Sequence, residues 1–269
     1  MSLYPPSSTL PTFDNLRAPQ PPDDLDVSQV ALEWFLTFST AITSCKASDA
    51  VTLFVENSFW RDCLALTWDL RTFIGTEKIQ TFLEDRLSVA KLSEMKLDES
   101  AVVLVRPYPD LAWISGTFTF KTEIGQGNGT FRLSPIEGGL FKAHTVFTNL
   151  IGLKGHPEVI GRLRNPVASH GLDWVEGRRK EVEFLDSDPT VLVIGGGHSG
   201  LETAARLKVL GVPTLVVEKD DRIGDVWRNR YGALCTHDPV CKSLSLNLNQ
   251  IRLTSNGIRV SPHAVSAIS

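Results

Sequence analysis

The chain has 269 residues, 42% hydrophobic and 22% charged, a balance that supports a packed core and excludes wholesale disorder. A net charge of −4 offers no basic field for nucleic acid. The apolar runs fall short of the ~18–20 residues of a membrane span, so neither nucleic acid nor membrane is an expected partner.

Residues 1–26 hold Pro5, Pro6, Pro11, Pro19, Pro21 and Pro22. Proline removes helix donors and favours extended backbone, so this stretch is predicted to be a flexible lead-in. It carries one base among its first 25 residues, Arg17, and no apolar segment of a signal peptide. Cys45, Cys63, Cys235 and Cys241 form no CxxC pair and no zinc spacing. Reduced thiols, a cytoplasmic location and no metal site are therefore expected. Asn128-Gly-Thr130 matches a glycosylation sequon that stays idle without secretion.

Order is predicted from Asp26, which with Gln29 makes an Asp-x-x-Gln variant of the capping box. Val27, Val30, Ala31, Trp34, Phe38, Ala41 and Ile42 follow on one helical face. A second helix is predicted from Thr76 as N-cap, with Ile79, Phe82, Leu83 and Leu87 on one side. The period then falls to two. Ala112, Ile114, Phe118 and Phe120 alternate with Trp113, Ser115, Thr117 and Thr119, the pattern of a half-buried strand. Over 140–151, Phe141, Ala143, Thr145, Phe147 and Ile151 fall on one side and His144 on the other. Gly125-Gln-Gly-Asn-Gly129 lies between these strands and reads as a hairpin turn, since no helix pattern follows it. Helices first and long antiparallel strands afterwards describe an α+β domain over 27–170, closed by a linker at 171–188.

From Pro189 the pattern changes again. Thr190–Ile194 is a short apolar run suited to a strand covered on both faces. Gly195-Gly-Gly-His-Ser-Gly200 follows directly. Leu201–Leu210 reads as a helix that Gly211 can end, and Pro213–Val217 as a second strand. This is a βαβ unit whose Gly195, Gly197 and Gly200 satisfy G-x-G-x-x-G. Gly195 permits the tight turn, Gly197 admits a diphosphate to the backbone, and Gly200 lets helix and strand lie close. Glu218 ends the second strand, where an acid accepts from both ribose hydroxyls of an adenosine. Spacing alone leaves FAD and a nicotinamide nucleotide both open.

Glu218-Lys-Asp-Asp-Arg-Ile-Gly-Asp-Val-Trp-Arg-Asn-Arg-Tyr231 resembles the E-[KR]-x(3)-[IV]-G-[GD]-x-W-x(3)-Y stretch of flavin-dependent monooxygenases, the group of flavin-containing and Baeyer–Villiger types. The resemblance implies an incomplete α/β Rossmann FAD-binding domain over 189–241. In it Gly195, Gly197, His198, Ser199, Gly200, Glu218 and Lys219 hold the adenosine diphosphate. Val226 and Trp227 turn back toward the flavin, with core packing the alternative for Trp227. Ala233–Pro239 resembles the next segment of the family, where His237 meets the cofactor or serves the structure. Ser58–Arg71 resembles a segment of fungal members that carry a cone domain like that of nuclear transport factor ahead of the FAD domain. Trp60, Asp62, Trp68, Trp113 and His144 are candidates for a pocket there, an Asp–His pair for acid–base work. Aromatic core packing with a satisfied histidine is the plainer reading.

The resemblance covers roughly 27–240; residues 242–269 form an atypical, acid-free tail, and the chain reads as a shortened form. What it implies is an FAD-dependent monooxygenase using NADPH and O2 on an organic small molecule of secondary metabolism, the NADPH domain itself falling outside this stretch. No catalytic side chain is named, because the flavin carries that chemistry. A non-catalytic binding or dimerising module, with a second copy of the chain as partner, and an NAD(P)-dependent dehydrogenase are the alternatives.

Overall fold

The computed structural model describes residues 10–160, 163, 175–176, 179–180, 183–185, 188–222, 224–230, 232 and 260–261. The chain divides into two compact units, residues 1–155 and 156–269. Among the described residues no helix is long and apolar enough to cross a membrane.

The first unit opens with α1 (Phe13–Leu16), then α2 (Val27–Thr43) and α3 (Ala47–Val51). Strands β1 (Phe54–Cys63) and β2 (Leu70–Ile74) follow, then α4 (Thr76–Ala90). The remaining strands are β3 (Ser93–Tyr108), β4 (Leu111–Lys121), β5 (Gly125–Pro135) and β6 (Phe141–Leu153). All six make one sheet in the order β2-β1-β6-β5-β4-β3. The α+β class holds, but the sheet is mixed: β1 and β6 run parallel, and the other neighbours antiparallel.

Helix α2 buries Ala31, Trp34, Phe35, Phe38, Ala41 and Ile42, the face its spacing predicted plus Phe35. Its cap is half a capping box. The Asp26 carboxylate accepts from Gln29 N at 2.9 Å, while the Gln29 amide reaches forward to Glu33. Helix α4 is capped by Gly75 at φ +85°, and Thr76 is its first helical residue. Inside, the rings of Trp34 and Phe38 stack at 4.8 Å, Phe38 meets Trp60 at 5.8 Å, and Trp60 meets Phe82 at 5.7 Å. Each such pair adds about 0.5–1.5 kcal/mol beyond the area it buries.

The glycine run 125–129 is strand rather than turn; the chain reverses at 122–125, where Thr122 N donates to Gly125 O. The reason is steric. Phe118 stands opposite Gly129, Phe120 opposite Gly127, and Phe131 opposite Gly116. A Cβ on any of the three glycines would fall 2.3–2.4 Å from the facing ring. Glycine here makes room for an aromatic ring lying across the neighbouring strand.

Strand β6 also departs from its predicted alternation. Arg132 pairs with Thr145 and Leu133 with Ala143, so His144 is the extra residue of a bulge. Beyond it the parity flips. Val146 and Thr148 are buried instead of Thr145 and Phe147. The described part of the proline-rich lead-in is likewise more structured than its composition predicts. Phe13 N donates to Asp110 O, and Arg106 Nη2 donates to Pro21 O at 2.7 Å. Proline gives up its donor but keeps its acceptor, and Arg106 uses it.

The second unit contains β7 (Val191–Ile194), α5 (His198–Val209), β8 (Thr214–Val217), α6 (Asp225–Arg230) and β9 (Val260–Ser261). The sheet order is β7-β8-β9 with parallel pairing throughout. Gly211 at φ +70° ends α5, as its position predicted. Among the described residues β7 is covered on one face only, with Leu192 56% and Ile194 77% exposed, against the expectation of cover on both. The linker expected at 171–188 lies mostly outside the described residues.

Candidate cofactor site

Strand β7 runs into the glycine loop, where Gly195 N still donates to Val217 O at 2.8 Å. Gly195 then takes φ +100°, a conformation that strongly favours glycine, and breaks the strand direction. Gly197 is the N-cap of α5 at φ −77°, ψ −169°, and no side chain caps the helix there. The first N–H groups of α5 are therefore open at the positive end of the helix, the arrangement that receives an anionic group.

The three fingerprint glycines are not equivalent. A Cβ on Gly200 would fall 1.9 Å from the carbonyl oxygen of Gly195, so helix and loop touch there backbone to backbone. A Cβ on Gly197 would meet nothing within 4 Å. No contact among the described residues requires its glycine. Gly200 is bound to the fold, and Gly197 lies open beside the helix start.

Glu218, just beyond β8, is drawn onto the same loop. Its Oε2 accepts from Gly196 N at 2.6 Å, and its Oε1 from Lys219 N at 2.8 Å and Asp220 N at 3.2 Å. Burial pushes the carboxyl up. The backbone donors at Asp220, Gly196 and Lys219, with the Lys219 charge, outweigh it and hold the group below the usual carboxylate range. Of about four lone-pair positions on a carboxylate, three are in use. That leaves about one for a ribose hydroxyl rather than the two expected.

His198 and Ser199 occupy the first turn of α5 and are exposed; the His198 Nε2 lies 3.1 Å from Glu202. Lys219 is exposed beside Glu218. Val226 is exposed and Trp227 half-buried on α6. His237 lies outside the described residues.

Sequence reasoning missed Asp225. It is buried, and its carboxylate accepts from Arg222 N and from Arg228 Nη1 at 2.8 Å, with Arg222 Nε at 3.3 Å. The Arg228 bond, against desolvation and ahead of the Arg222 charge, keeps its carboxyl below the usual range. Asp225 closes the turn that runs from Arg222 through Gly224 (φ +87°) and so sets the start of the helix bearing Trp227. An acid with arginines at both i−3 and i+3 was the available signal.

In the first unit the proposed acid–base pair does not form. Asp62 is fully buried, and its oxygens accept from Leu66 N, Thr67 N, Thr67 Oγ1 and Thr148 Oγ1. Trp60 Nε1 donates to the same Thr148 Oγ1 at 2.9 Å. His144 instead packs edge-on to Phe59, three residues from Asp62 on a strand and hence on the opposite face. Its Nε2 is buried with no hydrogen-bond partner. Burial, then the charge of Arg132, pushes the imidazole pKa down. Trp60 is core, Trp113 stacks under Arg132 at 4.9 Å, and Trp68 is exposed. Asp62 organises a turn.

No family model matches the chain. Short stretches match three oxidoreductases. The chain is 47% identical over 49 residues to an uncharacterized CzcO-like oxidoreductase of Geobacillus kaustophilus, covering 18% of this chain and 14% of that protein. It is 42% identical over 52 residues to indole-3-pyruvate monooxygenase YUCCA1 of Oryza sativa, covering 19% and 13%. The match to the probable indole-3-pyruvate monooxygenase YUCCA1 of Arabidopsis thaliana is 43% over 49 residues, covering 18% and 12%. The chain thus aligns with 12–14% of the length of these relatives. Among solved structures, a ketosteroid isomerase-like protein from Erwinia carotovora has TM-score 0.37 and 9% identity over 47% of this chain and 98% of its own. A putative aromatic ring hydroxylase from Novosphingobium aromaticivorans has TM-score 0.39 and 14% identity over 50% and 95%. At these scores the likenesses bear on neither activity nor ligand.

Proposed function

We propose that the second unit binds FAD through an incomplete Rossmann domain and that the chain serves an FAD-dependent monooxygenase of the flavin-containing and Baeyer–Villiger group, acting on an organic small molecule. The observation that carries this reading is the division of labour in the glycine loop, with Gly200 sealed against Gly195 and Gly197 open at an uncapped helix N-terminus. The partial matches to a CzcO-like oxidoreductase and two indole-3-pyruvate monooxygenases support it.

The donor set fits the group. In this reading the N–H groups of His198 and Ser199 at the start of α5 take the diphosphate, and Glu218 offers its remaining acceptor position to the adenosine ribose. Lys219 adds a cation beside it. Val226 and Trp227 present apolar surface for the ring system, with Asp225 fixing their turn. The chemistry that FAD supplies when bound is electron transfer from NADPH to O2; this chain's residues bind and orient.

The test is titration of the protein with FAD, followed by quenching of flavin fluorescence and by competition with ADP. Saturable binding at one FAD per chain, displaced by ADP, is expected. Retention of NAD with no uptake of FAD would replace the reading with a dehydrogenase.

A further inference from the structure

In the first unit, the six residues between β1 and β2 form a turn held with unusual effort. A fully buried carboxylate, Asp62, is committed to it through Leu66 N, Thr67 N and Thr67 Oγ1. Leu64, a γ-branched residue, is held at φ +62°, a left-handed conformation that costs energy outside glycine. The turn displays Trp68 at 67% exposure, with Leu64 exposed beside it. Across from them stand the exposed Val89 at the end of α4 and the exposed Ile124 of the β4–β5 turn. Glu123 N donates to Ala90 O and ties that turn to the helix. Together these pieces enclose a cavity of about 70 Å³.

One cation lines it. Arg86 Nε donates to Leu66 O at 2.8 Å, which fixes the plane of the guanidinium. Its Nη1 and Nη2 have no hydrogen-bond partner among the described residues. Glu123, the acid on the same rim, is held by Lys91 at 3.1 Å, so its charge is already matched. The cavity is well below the ~300 Å³ of a site that swallows a whole ligand. It has room for a small anionic head, while a flat apolar body would lie against Trp68.

We propose that this mouth binds a flat organic carboxylate, its carboxyl group on the Nη groups of Arg86 and its apolar body on Trp68. The oriented guanidinium supplies a two-pronged match to a carboxylate. The strained, carboxylate-braced turn pre-positions the indole, so little order is lost on binding. This proposal concerns the first unit and stands whether or not the second binds FAD.

The experiment is isothermal titration calorimetry of the whole chain with 2-naphthoate and with the neutral 2-naphthylmethanol. One saturable naphthoate site per chain is expected, with the alcohol at least about tenfold weaker. Arg86→Gln should weaken naphthoate at least about tenfold and leave the alcohol unchanged. Trp68→Ala should weaken both, with an unchanged far-ultraviolet circular dichroism spectrum because the side chain lies on the surface. No saturable naphthoate binding, or an alcohol as tight as the acid in the parent protein, overturns the proposal even if Arg86→Gln does not fold. Naphthoate binding indifferent to Trp68→Ala overturns it too, by placing the ligand elsewhere.

Discussion

Alanine at Gly197 and alanine at Gly200 should part company, although both break the same fingerprint. At Gly200 the new Cβ lies 1.9 Å from a backbone oxygen, about 1.5 Å inside ordinary contact. That oxygen belongs to Gly195, itself fixed at φ +100°, so the loop has no cheap way to yield. Helix α5 must move off the loop, an overpacking that typically costs 1–3 kcal/mol. Alanine's better helix propensity returns about 1 kcal/mol; a clash this deep against backbone belongs at the upper end of the range, so the second unit should lose about 2 kcal/mol. At Gly197 the backbone suits any residue and the space beside it is empty, so Gly197→Ala should cost at most about 1 kcal/mol, from the weaker N-cap. Its effect belongs to the ligand. Loss of about two charge-assisted bonds to the diphosphate, at ~1.5–3 kcal/mol each, weakens FAD by roughly two to four decades. Hydrogen exchange across 191–217 reads the first quantity and FAD titration the second. Parent-like exchange protection in Gly200→Ala, or parent-like FAD affinity in Gly197→Ala, refutes this account of the loop.

Four other outcomes follow, two at the same loop and two in the first unit. Glu218→Gln keeps one acceptor oxygen and turns an amide toward backbone donors, so FAD binding should weaken about tenfold or more, from one lost charge-assisted bond; titration of the variant checks it. Because the folded Glu218 carboxyl lies below its ordinary value of 4.5, its contribution is complete above that pH and is lost as pH falls through the lower folded value. Loop protection should therefore hold at pH 5 and decline as pH falls below 4.5 toward the folded value, a fall that Glu218→Gln flattens. Asp62→Ala strands four donors, two of them fully buried, and should cost the first unit about 2–4 kcal/mol, seen as a melting point lower by roughly 4–16 °C. His144, whose imidazole is held below its ordinary 6.5, stabilises the fold fully above that pH and progressively less as pH falls toward its folded value. The melting point of the first unit should thus drop between pH 7 and 5.5, and less steeply in His144→Phe.

What the sequence disclosed was local. The faces of α2 and α4, the βαβ unit and the glycine loop each follow from spacing within a dozen residues or so, where one period governs. The strands of the first unit were harder, for reasons visible at particular residues. Gly127 and Gly129 look like turn residues because the rings that require them, Phe120 and Phe118, belong to the neighbouring strand. Glycine's meaning was set by a partner that no local window contains. His144 likewise breaks the alternation of β6 without any residue that advertises a bulge, and half the strand was consequently assigned to the wrong face.

The same distinction separates the two readings of Asp62. On paper, Asp62 and His144 are an acid and a base in one small domain. In the fold, β1 and β6 are parallel neighbours, and residues three apart on a strand face opposite ways. Asp62 braces the Leu64–Asp69 turn, and His144 packs on the other face of the sheet against Phe59. A buried carboxylate persists only with its acceptor positions filled, and the partners of Asp62 in the turn and at Thr148 are donors that fill them. The carboxylate is therefore committed to shape. What that shape displays is Trp68, on the rim of the cavity that Arg86 also lines, and the chemistry proposed for the first unit is placed there.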